Sequence, residues 1–127
     1  SGRNTISRNL KHQGSTRQMV FLARAIAQEA AYFIMDEPTS HLDFYNQHGI
    51  MNVLRRIVEE RGCCVIIAMH DPNLTMAFSD EVLMVKKGHL LQEGLAREVM
   101  TASNLGDLYD MNLKIASLEG EKKVVFA

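Results

Sequence analysis

Long apolar runs, cysteine and excess charge of either sign are all scarce in this 127-residue sequence. The longest apolar stretches, such as Val65 to Met69, fall far short of the roughly 20 residues that a bilayer-spanning helix needs. No secretory signal opens the chain, so the expectation is a soluble, cytoplasmic protein. A formal net charge of -1 gives no global reason to expect nucleic acid or an anionic membrane as partner. The only two cysteines, Cys63 and Cys64, are adjacent at the start of an expected strand. Successive strand side chains point to opposite faces, which makes the pair poor co-ligands for a metal.

What is present suffices for one domain: 46% of the residues are hydrophobic. Eight methionines are scattered through apolar stretches and read as core filling. Residues 1 to 18 stand apart. They carry Arg3, Arg8, Lys11 and Arg17 without an acid, and Ile6 and Leu10 as their only large apolar residues. That composition predicts a solvated lead-in. No aromatic residue interleaves with the basic ones for base stacking, so a nucleic-acid arm is disfavoured and no nucleic-acid partner is expected.

Periodicity predicts a mostly buried helix over Thr16 to Gln28, through Met19, Val20, Leu22, Ala23, Ile26 and Ala27. Ala31 to Met35 reads as a parallel strand buried on both faces and stopped at Asp36-Glu37-Pro38. A second helix shows Ile50, Val53, Leu54, Ile57 and Val58 on one face and stops at Gly62. A second buried strand is expected from Cys64 to Met69. Asp71-Pro72 is an N-cap and first-turn pair for a short helix. Val82 to Val85 and Leu90 to Gln92 flank a hairpin turn at Lys86 to His89. Residues 95 to 110 predict two short helices broken near Ser103, and Leu113 to Ala127 a last hairpin turning at Glu119-Gly120. Two strand-helix-strand crossovers followed by meander strands predict an α/β fold, with parallel strands, flanking helices and antiparallel C-terminal hairpins.

Chemistry concentrates in Tyr32-Phe33-Ile34-Met35-Asp36-Glu37-Pro38-Thr39-Ser40-His41-Leu42-Asp43. Open α/β sheets place ligands at the carboxyl ends of their parallel strands, where Asp36 and Glu37 are expected. Asp36 offers the oxygen that Mg²⁺ prefers, and Glu37 can orient a water for in-line attack on a phosphoryl group. The second strand ends in His70 at the same edge, and a neutral imidazole can bond a phosphate or the attacking water.

Taken together, FIMDEPTSHLD resembles the Walker B segment, catalytic glutamate and D-loop of ABC ATPases, and AMHD resembles their histidine switch. The resemblance covers roughly residues 14 to 110. It implies part of a P-loop NTPase domain divided into a basic lead-in over 1–15, a central segment over 16–94, and C-terminal helices and hairpin over 95–127. It implies ATP and Mg²⁺ as cofactors, with Asp36 in the metal shell and Glu37 and His70 catalytic. Ser40 to Asp43 would then contact the other half of a nucleotide-sandwich dimer. The run after His70 resembles importer ATPases, and NLGDLYDMNLKI resembles those serving metal-chelate importers. The implied partners are a transmembrane permease and a second ATPase subunit or a missing N-terminal half. The implied location is peripheral, on the inner face of the cell membrane.

Two departures qualify what the resemblance implies. The sequence contains no G-x-x-x-x-G-K-[ST], the loop that cradles phosphates in P-loop enzymes, so turnover by these residues alone is not expected. The family's L-S-G-G-Q signature aligns with His12-Gln13-Gly14-Ser15-Thr16, in which only Gly14 keeps its register. A helix beginning near Ser15 can still present N–H groups to an anion, and Gly14 and Ser15 are the nucleotide-contacting candidates there. A strand missing beside the switch strand would leave an open edge, which predicts self-association or a partner chain. The alternative function is a non-catalytic remnant that keeps only a folding and dimerisation role.

Overall fold

A computed structural model describes residues 32–127 and, before them, Val20 and Arg24. Both of these residues are helical. The rest of the helix expected over Thr16 to Gln28, and the lead-in with Gly14 and Ser15, lie outside the described residues. The chain divides into two compact units between His70 and Asp71.

In the first unit β1 (Tyr32–Asp36) and β2 (Cys64–Ala68) pair in parallel, from Tyr32 opposite Cys64 to Asp36 opposite Ala68. Parallel neighbours need a crossover, and α1 (Phe44–Arg61) provides it. Its apolar stripe buries Ile50, Met51, Leu54 and Ile57, and the helix packs against β2. Fully burying each such side chain is worth about 1.5–3 kcal/mol. The helix stops where foreseen: Gly62 takes φ 65°, and its N–H donates to the Val58 carbonyl at 2.9 Å.

Burial corrects the expectation of strands covered on both faces. Phe33 and Met35 are buried, but the alternate row is open, with Tyr32 64%, Ile34 66% and Ile66 49% exposed. The period-2 alternation of a strand assigns these side chains to opposite faces, and the described residues cover one row only. Apolar residues such as Ile34 and Ile66 are typical of parallel sheets covered on both faces, and among the described residues nothing covers this row.

The second unit opens with α2 (Pro72–Phe78), followed by a hairpin of β3 (Glu81–Lys86) and β4 (His89–Leu95). Lys87 and Gly88, at φ 50° and 78°, form the two-residue turn that matches strand twist. Two short helices follow, α3 (Ala96–Val99) and α4 (Ala102–Tyr109). The break falls at Met100-Thr101 rather than near Ser103, because the Thr101 hydroxyl caps α4 by accepting the Asn104 N–H at 3.1 Å. A last hairpin pairs β5 (Lys114–Ser117) with β6 (Lys123–Phe126) across a 3₁₀ turn at Glu119–Glu121. Met84, Leu105, Ala96, Val99, Met100 and Val125 form the core of this unit.

Among the described residues β3 pairs antiparallel with β4, not in parallel as the second expected crossover required. The fold is α/β, with one parallel pair and two antiparallel hairpins among the described residues. No helix among those residues is long and apolar enough to cross a membrane.

Candidate functional site

The carboxyl ends of β1 and β2 build the site from backbone outward. The Glu37 N–H donates to the Ala68 carbonyl at 2.8 Å, which extends the parallel ladder one residue beyond β1. Glu37 then takes φ 52°, a left-handed conformation costing a non-glycine residue about 1–2 kcal/mol. Its carbonyl accepts the Ser40 N–H at 3.0 Å, closing a turn whose Pro38 and Thr39 are buried. Two backbone hydrogen bonds and the buried Pro38-Thr39 pair thus hold the reversal, as a strained backbone conformation requires.

The turn aims the Glu37 carboxylate at His70. Glu37 Oε1 and His70 Nε2 lie 2.9 Å apart, with the imidazole side chain 88% exposed and the carboxylate 31% exposed. A neutral ring makes this contact only as the Nε2–H tautomer, because a carboxylate is purely an acceptor. Asp36, exposed, ends β1 beside Ala68, two residues before His70. The ladder therefore brings both acids and the histidine to one edge of the parallel pair.

The other expected residues are placed differently. Ser40 is exposed in the turn. Asp43 serves its own helix: its Oδ1 accepts the Asn46 backbone N–H at 2.8 Å and the Asn46 side-chain amide at 3.0 Å, capping α1. The Gln47 side-chain amide donates to the buried Thr39 carbonyl at 3.5 Å and so ties the turn to α1. Sequence reasoning passed over Gln47; its signal was a polar residue one turn after a cap, too common to single out. Gly14 and Ser15 lie outside the described residues.

The donor set suits Mg²⁺. No cluster of three or more His, Cys, Asp or Glu able to hold a metal occurs among the described residues. A protein cage is not what this ion requires: Mg²⁺ keeps several waters and is held by one or two carboxylates together with substrate phosphates. A single exposed carboxylate, Asp36, at a strand end fits that mode.

The chain is 34% identical over 113 residues to the petrobactin import ATP-binding protein YclP of Bacillus subtilis, covering 89% of this chain and 45% of that protein. It is 36% identical over 104 residues to the iron(3+)-hydroxamate import ATP-binding protein FhuC of the same organism, covering 82% and 39%. An inward-facing structure of a metal-chelate type ABC transporter superposes with a TM-score of 0.79 at 28% identity, over 88% of this chain and 45% of that one. No family model matches the chain.

The chain belongs to the ABC transporter ATP-binding proteins. It spans less than half the length of these relatives. As an ABC ATPase fold it has the α/β character read from the sequence, with the parallel pair and antiparallel hairpins of a P-loop NTPase domain.

Proposed function

We propose that this chain carries the metal-binding and water-activating part of an ABC importer ATPase, whose complete form hydrolyses Mg-ATP to drive a metal-chelate substrate through a transmembrane permease. The Glu37–His70 contact at 2.9 Å, at the edge where Asp36 also lies, carries the reading. Relatives named for petrobactin and iron(3+)-hydroxamate import support the substrate class. On this reading the protein works at the inner face of the cell membrane, with a permease and a second ATPase subunit.

Asp36 offers one carboxylate oxygen to the metal shell. Mg²⁺, when bound, neutralises charge on the phosphate oxygens. Glu37 turns its carboxylate from His70 to a water, orients it in line and accepts its proton. The His70 Nε2–H, released from Glu37, donates to a terminal phosphate oxygen, so the two side chains exchange each other for substrate. On the same reading Ser40 and Asp43 are the contacts to the second ATPase subunit, and Gly14 and Ser15 the contacts to the nucleotide.

The phosphate cradle must come from outside these 127 residues, because they contain no G-x-x-x-x-G-K-[ST]. The test is phosphate release and calorimetric Mg-ATP binding by the chain extended upstream with the phosphate-loop half of a relative. Glu37→Gln should keep binding and lower release by about a hundredfold or more, the range of general-base catalysis. Equal release in both forms would sink the role given to Glu37. A second reading, a non-catalytic remnant, is favoured by Gln13 and Ser15 in the signature position; binding without release in the extended wild type would establish it.

A further inference from the structure

We propose that Gln47 is a positioning residue for Glu37, acting from α1 on the turn that carries the carboxylate. Its side-chain amide donates to the Thr39 carbonyl at 3.5 Å. Thr39 is a central residue of the turn that the Ser40 N–H closes onto the Glu37 carbonyl at 3.0 Å. The bond therefore reaches the same turn whose first residue, Glu37, stands at φ 52°.

The sequence puts a polar group where an apolar one is expected. Ile50 and Met51 follow Gln47 at the i+3 and i+4 positions and Leu54 lies one further turn along, so all four share one helix face. Ile50, Met51 and Leu54 are buried. Gln47 continues their stripe toward the N-terminus of α1 and is half-buried there. A polar side chain in that place needs a partner, and the Thr39 carbonyl supplies it. Glutamine meets the need because its amide is a donor on a long side chain; glutamate sets acceptor against acceptor, and methionine has no donor.

The Thr39 carbonyl also accepts the Leu42 N–H at 3.3 Å, but Leu42 lies in the same loop and ties the turn to nothing outside it. α1 is a firmer anchor: its stripe is buried, Asp43 caps its first turn, and it packs against β2. β2 in turn provides the Ala68 carbonyl that accepts the Glu37 N–H at 2.8 Å. Gln47 and Ala68 thus grip the reversal from a helix and a strand that are packed on each other. A left-handed glutamate relaxes toward ordinary backbone when such a grip is released, and the direction of its carboxylate relaxes with it. The placement of Glu37 rests on these bonds; its use in activating water rests on the ATPase reading.

The test uses the full chain and two nuclear magnetic resonance readouts. Amide exchange at Ser40 reports closure of the turn, and the Overhauser effect between the Glu37 N–H and its own Hα is strongest at positive φ. Gln47→Met should speed Ser40 exchange about threefold to tenfold, as the loss of one hydrogen bond does, and weaken the Glu37 signal. Its unfolding midpoint in urea should hold or rise, because methionine suits a buried stripe, which separates positioning from a general loss of structure. Gln47→Glu keeps the size, removes the donor and should loosen the turn as well; it carries the test if Gln47→Met does not fold. In the chain extended with a phosphate-loop half, Gln47→Met should lower phosphate release at saturating Mg-ATP about threefold to tenfold and leave Mg-ATP affinity unchanged. If Glu37→Gln leaves that release intact, the ATPase reading fails while the two resonance changes still uphold the placement of Glu37. A wild-type value of either resonance readout in these variants would overturn the proposal, as would release untouched by Gln47→Met where Glu37→Gln abolishes it.

Discussion

Glu37 and His70 leave different strands and meet at 2.9 Å, because the parallel register that sets Asp36 beside Ala68 delivers their side chains to one edge. The contact is a solvent-facing one, and exposed pairs of this kind are worth about 0–1 kcal/mol. Its contribution to folding stability is therefore small. His70→Ala should change the unfolding free energy in urea by less than about 1 kcal/mol. In the extended form it should abolish most phosphate release. A large loss of stability would mean that the histidine belongs to the fold instead of the site.

Asp43 separates two roles that the sequence could not distinguish. Its carboxylate caps α1 through the Asn46 N–H at 2.8 Å. Asp43→Ala should cost about 1 kcal/mol, as the loss of an N-cap does, while Asp43→Ser should recover most of it. Chemical denaturation of the two variants measures the difference.

The β3–β4 turn holds a lysine where a left-handed residue is needed, Lys87 at φ 50° before Gly88 at φ 78°. Asparagine tolerates that conformation and Asn-Gly is the preferred pair for such turns. Lys87→Asn should stabilise the chain by about 0.5–1 kcal/mol and raise Tm by roughly 2–5 °C in a thermal melt.

Much of this architecture was legible in the sequence where local chemistry decides. Ile50, Leu54 and Ile57 with Gly62 gave away α1, Asp71-Pro72 the start of α2, and Gly88 the hairpin. Other features depend on partners far along the chain. Nothing local says that Tyr32, Ile34 and Ile66 stay open, since an apolar strand residue looks the same covered or bare. The left-handed Glu37 was equally hidden, because glutamate has no preference for that conformation; the Ala68 carbonyl and the buried Pro38 impose it. The Asn73 side-chain amide, which bonds both backbone groups of Val125 across 52 positions, leaves no periodic trace. The juxtaposition of Asp36, Glu37 and His70 was readable because two neighbouring strand ends carry them.

Lys86 and Asp110 supply the pH dependence. Lys86 Nζ donates to Asp110 Oδ1 at 2.5 Å and to the Asp107 carbonyl at 2.7 Å, near the C-terminus of α4. The hydrogen bond and charge of Lys86 hold the Asp110 carboxyl below its ordinary range. A depressed folded-state value means that the contribution is present above the unfolded value, near pH 4, and is lost as pH falls through the lower folded one. Thermal melts should show wild type above Asp110→Asn at pH 6, with the gap closing as pH drops below about 4. Added salt should narrow the gap at pH 6, because the carboxylate is exposed.

On the proposed function, the edge formed by Asp36, Glu37 and His70 receives the metal and terminal phosphate of a nucleotide. Paramagnetic broadening by Mn²⁺-ATP tests it most directly, because it registers weak, local binding by the chain as it stands. Selective broadening of the Asp36, Glu37, Ser40 and His70 amide signals is expected at millimolar Mn²⁺-ATP, and Asp36→Asn should abolish it. Broadening centred elsewhere, or broadening of these signals that survives Asp36→Asn, would contradict it.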